Sequence, residues 1–334
     1  MFGWLFGKKA KPRSHEAAGR TTPSASVIQL SKGSARVEIR DEGRGWLSIP
    51  ATGFHGSYMR SPNGKFRIAW RDGGPESDDG CYVLLNGQEI ICQGRMERAQ
   101  DGKVADNGVF ILNDWRASSD LTGTFRAFSA DGSQLLVQDF AANLFNNGLS
   151  ADGRLAACQT CNSGDEHDSA VLTVFDLTQG KELHRFRAES GWPNTYAFSP
   201  DGETLTLGYP NGEGEFAYKL DGTFVDRDAW IAASLKRGDL LMVRRVIDEA
   251  GGKPDPEAAR RLLEAVNRGL VHKNCQDSGW QALGFRLRGE LLETMGEPEP
   301  ALESYDEALA LNPKIGIKRR ADQLRKLASA TPRS

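Results

Sequence analysis

The chain has 334 residues, with 42 Lys and Arg against 45 Asp and Glu and only five cysteines. That length suits two domains, the odd and sparse cysteine count excludes a disulfide-built secreted domain, and no run reaches the roughly 18 apolar residues that span a bilayer. Charge is uneven: residues 1–34 hold +5, residues 229–334 hold +3 from 18 Lys and Arg against 15 Asp and Glu, and the stretch between holds −11, which repels nucleic-acid phosphates, so no nucleic-acid partner is expected.

Residues 1–34 read as a flexible basic arm with an aromatic tip. Phe2, Trp4, Leu5 and Phe6 precede Lys8, Lys9, Lys11 and Arg13, a pairing of apolar anchors with cations that suits either an anionic membrane surface or a groove on a partner. The bland alternative is a tip that packs on its own domain. The apolar stretch comes before the basic residues and is shorter than the core of a secretory signal, and Phe2 stands where myristoylation needs Gly. The expectation is a cytoplasmic protein, with peripheral attachment at the inner membrane as an added reading.

From about residue 35 to 228 short strands alternate with turns. Asn63-Gly64, Asn107-Gly108, Asp152-Gly153 and Asp201-Gly202 each precede an apolar run, and their glycines are 44, 45 and 49 residues apart. The period is close to the roughly 40–50 residues of one four-stranded propeller blade. In the clearest unit, strands are expected at 143–150, 154–160, 171–176 and 182–186. Second turns recur at Asn86-Gly87, Asp131-Gly132, Thr178-Gln179-Gly180-Lys181 and Asp221-Gly222. Asn-Gly and Asp-Gly suit a type I′ hairpin, whose two central residues both need positive φ.

The phrases Ser61-Pro62-Asn63-Gly64, Ser150-Ala151-Asp152-Gly153 and Phe198-Ser199-Pro200-Asp201-Gly202 resemble the inner turn of WD-repeat and related bacterial propellers over about residues 57–228. The Trp-Asp and Gly-His pairs of the strict repeat are absent at their expected places, so the resemblance implies the β-propeller architecture and not the subfamily. Four blades are recognisable, and Arg36–Arg40 with Trp46–Ile49 would form part of a fifth or close the ring against the last.

After Asp228 the apolar period changes from 2 to about 3.6. Trp230, Ile231 and Leu235, then Leu240 to Ile247 behind an Asp239 cap, predict two short helices, and Asp255-Pro256-Glu257 starts a third. Residues 282–315 resemble one tetratricopeptide repeat, on Gly289, Leu292, Gly296, Ala301, Tyr305, Ala308 and Asn312-Pro313, with Arg288 where the family prefers Leu. The resemblance implies close antiparallel helices, a solvating helix from Ile315 to Leu327, and a groove faced by Leu283, Arg286, Glu290 and Glu293. Solvated polar residues with no partner are the plain alternative for these four.

Catalytic signals are weak. The five histidines are scattered, and neither His-Glu-x-x-His nor Gly-x-Ser-x-Gly occurs. Gly212-Glu213-Gly214 lies in a hairpin region rather than between strand and helix, and Gly251-Gly252-Lys253-Pro254 lacks the hydroxyl residue of a phosphate loop. Cys158 and Cys161 have a spacing that suits zinc, with His167 as a third ligand, or a redox disulfide; no fourth ligand stands nearby unless Asp165 or Asp168 supplies it, so packing is the favoured reading. The sequence therefore predicts a mainly β propeller joined to a separate all-α tetratricopeptide-like domain, with no cofactor or metal. Its expected role is a non-enzymatic scaffold for protein partners; a ligand sensor or hydrolase using the propeller channel, and a membrane-tethered accessory protein, are the alternatives.

Overall fold

The computed structural model describes residues 27–28, 36–73, 80–116, 121–210, 212–272 and 277–330. Among them are four antiparallel sheets followed by six helices. The first sheet holds β1 (Val27–Ile28), β2 (Arg40–Gly43), β3 (Trp46–Ile49), β4 (Phe54–Arg60), β5 (Phe66–Arg71), β6 (Gly80–Asn86) and β7 (Glu89–Met96), in the order β1-β7-β6-β5-β4-β3-β2. The next three are simple meanders: β8 (Ala99–Val104) to β9 (Phe110–Asp114), β10 (Gly123–Phe128) and β11 (Gln134–Phe140); β12 (Leu144–Leu149) to β13 (Leu155–Thr160), β14 (Leu172–Asp176) and β15 (Lys181–Phe186); and β16 (Thr195–Phe198), β17 (Thr204–Tyr209) and β18 (Gly214–Lys219).

The leading strands touch in succession, β4 to β8, β8 to β12 and β12 to β16, so the sheets follow one another face to face. Alternation along each strand decides what lies between them. Phe110, Leu112 and Phe128 face Tyr82 and Leu84 of the first sheet, with the Phe110 and Phe128 ring centroids 4.9 Å apart. Their neighbours Ile111, Phe125 and Ala127 face Ala156, Cys158 and Phe175 of the third, where Phe125 stacks on Phe175 at 5.1 Å. β9 and β10 are consequently buried on both faces. Between the third and fourth sheets lie Ala157, Leu172 and Val174 against Leu205, Leu207 and Tyr218.

The first sheet is rolled. Arg36 bridges to Glu89 on β7, yet Arg40, four residues later, begins β2 at the opposite edge of the sheet. Five strand spacings would separate those edges by about 24 Å if the sheet were flat, whereas four residues reach at most about 14 Å. The roll encloses Leu47, Ile49, Phe54, Ala69, Val83 and Leu85. Trp46–Ile49 therefore does not close a ring against the last sheet: it pairs with β4, and no contact of similar extent joins the fourth sheet to the first among the described residues. The fourth sheet ends the row with a polar face, on which Thr195 and Lys219 are exposed.

The periodic turns differ from the hairpin type expected of their residues. Gly64, Gly108, Gly153 and Gly202 have φ of 72°, 86°, 74° and 75°, but the Asn or Asp before each is not left-handed. The glycine N–H instead bonds back three residues, as from Gly153 to the Ser150 carbonyl (2.9 Å). The cause is the side chains. Ser150 Oγ donates to Asp152 Oδ1 (2.7 Å) and accepts from the Leu155 N–H (2.9 Å), while Asp152 Oδ1 accepts from the Arg154 N–H (3.0 Å). The same network recurs at Ser61 and Asn63 and at Ser199 and Asp201. It satisfies the turn without a type I′ backbone. These turns also link the sheets: the Asn63 N–H donates to Asp106 Oδ1 (2.8 Å), and Asn107 Nδ2 donates to the Asp152 carbonyl (2.7 Å).

The helices are α1 (Arg227–Arg237), α2 (Leu240–Glu249), α3 (Pro256–Val271), α4 (Ser278–Thr294), α5 (Pro298–Leu311) and α6 (Lys318–Ala330). Asp239, Asp255 and Asp277 cap α2, α3 and α4 through backbone N–H groups, each a favourable N-cap. α1 packs on β18. Tyr218 stacks on Phe224 (4.1 Å), Phe224 meets Trp230 (5.5 Å), and the Arg245 guanidinium covers Trp230 at 5.4 Å. Glu189 of the β15 to β16 loop binds Arg227 (3.1 Å) and Arg245 (2.5 Å), both of which also bind Glu249. Sheet and helices thus share an aromatic and ionic seam.

Candidate partner-binding groove

Helices α4 and α5 form an antiparallel hairpin because one residue has no side chain. A Cβ on Gly289 would lie 2.3 Å from Tyr305 Cε1, so only glycine lets α4 approach the buried Tyr305 ring this closely. Ala301 and Ala308, both fully buried, keep the same contact narrow. Tyr305 Oη then donates to Glu293 (3.0 Å), turning that carboxylate toward the space between α4 and α6. α6 closes that side through Ala321 and Leu324, with Ile317 just before it, and these pack with Leu292 and Tyr305.

A groove of about 570 Å³ results, lined by Lys253, Glu290, Glu293, Thr294, Tyr305 and Arg320 among others. Glu290 and Glu293 stand one turn apart on α4. Glu290 accepts from Arg286 Nε (2.8 Å) and lies 3.9 Å from Arg244 of α2; Glu293 accepts from Arg320 Nε of α6 (2.8 Å). Lys253 follows Gly251 and Gly252, left-handed at φ 67° and 81°, which turn the chain after α2. It has no ion-pair partner among the described residues. Its free cation and the paired carboxylates beside it are able to bind the opposite charges of a polypeptide by exchanging ion-pair partners. Burial holds the Tyr305 hydroxyl in its neutral, donating form by raising its pKa.

The four groove residues expected from the repeat occupy different settings. Glu290 and Glu293 line the groove. Arg286 is half-buried and serves as a strut, since besides Glu290 it donates to the Ile315 carbonyl (2.9 Å) and so ties α4 to the segment before α6. Leu283 packs with the core shared by α2, α3 and α4. Arg244, Lys253 and Arg320, which sequence reading missed, come from segments outside the repeat or beyond its end. The glycine pair before Lys253 was the one visible signal. Phe2, Trp4, Leu5, Phe6, Lys8, Lys9 and Lys11 lie outside the described residues.

Cys158 and Cys161 are free thiols. Cys158 is fully buried, with Sγ 4.0 Å from Asn113 Oδ1, and burial raises its pKa well above the ordinary thiol value. It packs in the core between the second and third sheets as a small buried hydrophobe. His167 instead faces Asp168 (3.0 Å) and Arg185 (2.9 Å). Among the described residues, no three His, Cys, Asp or Glu side chains converge as a metal set, and no helix is long and apolar enough to cross a membrane.

No protein-family model and no curated protein matches the chain. Among solved structures it is similar to the crystal structure of Kluyvelomyces marxianus Hsv2, at 9% identity and a TM-score of 0.34, with 53% of this chain and 54% of that one covered. The chain thus spans about half the length of that protein.

Proposed function

We propose that the protein is a non-enzymatic cytoplasmic scaffold in which four propeller-like blades carry tetratricopeptide-like hairpins, and that the groove between α4, α6 and the loop from α2 to α3 holds a segment of a protein partner. The observation that carries this reading is the groove itself: about 570 Å³, walled by Glu290, Glu293 and Arg320, with Lys253 unpaired at its side. Its polar lining suits an extended peptide more than an apolar small molecule, whose pockets are mostly hydrophobic. The seam at Trp230 holds the helices that carry the groove against the fourth sheet, and a held groove lowers the ordering cost of binding.

The basic arm adds a second attachment, to an anionic membrane or to a partner, on the strength of its +5 charge and aromatic tip. A photo-reactive phenylalanine analogue in place of Thr294 tests the groove directly. It is expected to cross-link a partner polypeptide in cells that contain the protein. Cross-links formed only from positions on the sheets would move the interface away from the helices.

A further inference from the structure

A second crevice opens on another side of the helical region, between α1 and α3. Gly238 and Gly269 bring the C-terminal ends of these two helices into backbone contact: a Cβ on Gly238 would lie 2.5 Å from the Gly269 nitrogen, and a Cβ on Gly269 would lie 2.4 Å from the Gly238 carbonyl oxygen. Between residues 228–236 of α1 and 258–268 of α3 lies a space of about 430 Å³, floored by Ile231, Leu235, Val246, Ala258 and Leu262. Leu262 is buried, the other four are half-buried, and Ala232 beside them is exposed.

We infer that this crevice docks an amphipathic helix of a protein partner whose flank is acidic. From 228 to 236, α1 rises about 12 Å, and a partner helix spaces its i and i+7 side chains by about 10.5 Å. Apolar residues at i, i+4 and i+7 of a helix would therefore span the floor. An extended strand fits worse, because helix walls offer it no ladder partners and its N–H and C=O groups would face apolar side chains unpaired. Charge selects the flank. Glu264 pairs with Arg268 (3.9 Å), whereas exposed Lys236 and Arg261 have no ion-pair partner among the described residues, and Asp228 stands apart in the first turn of α1. The same cations disfavour the chain's own basic arm as the occupant, because its charge has the same sign.

The test uses full-length protein and a panel of labelled synthetic helical peptides with Leu at i, i+4 and i+7. Their flanks carry Glu in one set and Lys in the other, and binding is read by fluorescence anisotropy at low salt. Glu-flanked peptides are expected to bind. Ala232→Glu, which sets a charge on the floor at an exposed helix position, is expected to weaken them by about tenfold or more, and Lys236→Glu with Arg261→Glu to reverse the preference toward the Lys-flanked set. Circular dichroism of both variants checks that the helices persist. Binding by none of the peptides, equal binding of the two flank types, or undiminished binding by folded Ala232→Glu would overturn the inference. So would concentration-dependent self-association of the wild type that Ala232→Glu abolishes, since the crevice would then serve a second copy.

Discussion

Replacing Gly289 with Ala sets two physical effects against each other. Helix propensity alone favours Ala in a helix interior by about 1 kcal/mol. Packing opposes it: the new Cβ would lie 2.3 Å and 2.4 Å from two carbons of the Tyr305 ring, against roughly 3.5–4.0 Å for carbons at ease. Ring or helix must move by more than 1 Å, and Tyr305, 1% exposed, has little room. Overpacking of this kind costs roughly 1–3 kcal/mol, and displacing the hydroxyl from Glu293 adds roughly 1.5–3 kcal/mol for a bond to a charged acceptor. After the propensity gain, a net loss of about 1.5–5 kcal/mol is expected. Denaturant titration of the full chain, followed by far-ultraviolet circular dichroism, measures it. Tyr305→Leu in the Gly289→Ala background should restore part of the loss, because the crowding partner is gone. A single mutant as stable as wild type, or more so, would refute the claim that α4 and α5 meet at this point.

Three further outcomes are expected. Trp230→Ala removes the ring between Phe224 and Arg245 and should uncouple helices from sheets, so that one thermal transition becomes two; a single transition at an unchanged midpoint would contradict the seam. Asp152 titrates at about 2: burial works to raise it, but hydrogen bonds from Ser150 and Arg154 outweigh that effect. Because its folded pKa lies below the unfolded value, its contribution is present above about pH 4 and is lost as pH falls toward 2. Asp152→Asn should flatten that part of the stability profile, and an unchanged profile would mean that the turn network contributes nothing. Full-length protein should sediment with anionic vesicles at low salt and release as salt rises, while protein lacking residues 1–13 stays in solution; equal behaviour of the two would remove the membrane reading of the arm.

Local features were the legible ones. The strands of the third sheet could be placed from turns and alternation because both signals lie within a few residues, and the caps at Asp239 and Asp255 were visible for the same reason. The turn type was misread because Asp-Gly suits a type I′ hairpin by itself, while here the Ser hydroxyl and the carboxylate two residues later stabilise another turn. The roll of the first sheet was hidden, since pairing of β3 with β4 and the bridge from Arg36 to Glu89 depend on partners that period-2 patterning does not identify. At the groove, Glu290 and Glu293 were legible as one face of one helix. Lys253 and Arg320, and Arg244 beside Glu290, were not, because they come from α2, from the loop after it and from α6, far along the chain from α4.

The proposed scaffold role depends on the groove between α4, α6 and the loop from α2 to α3 holding a protein partner. The most direct measurement is quantitative affinity capture from the protein's own cells with wild type and with Lys253→Glu combined with Glu290→Lys, after both have been shown to melt alike. Specific partners retained by the wild type and lost from the charge-reversed protein are the predicted result; the same set captured at the same yield by both would contradict it.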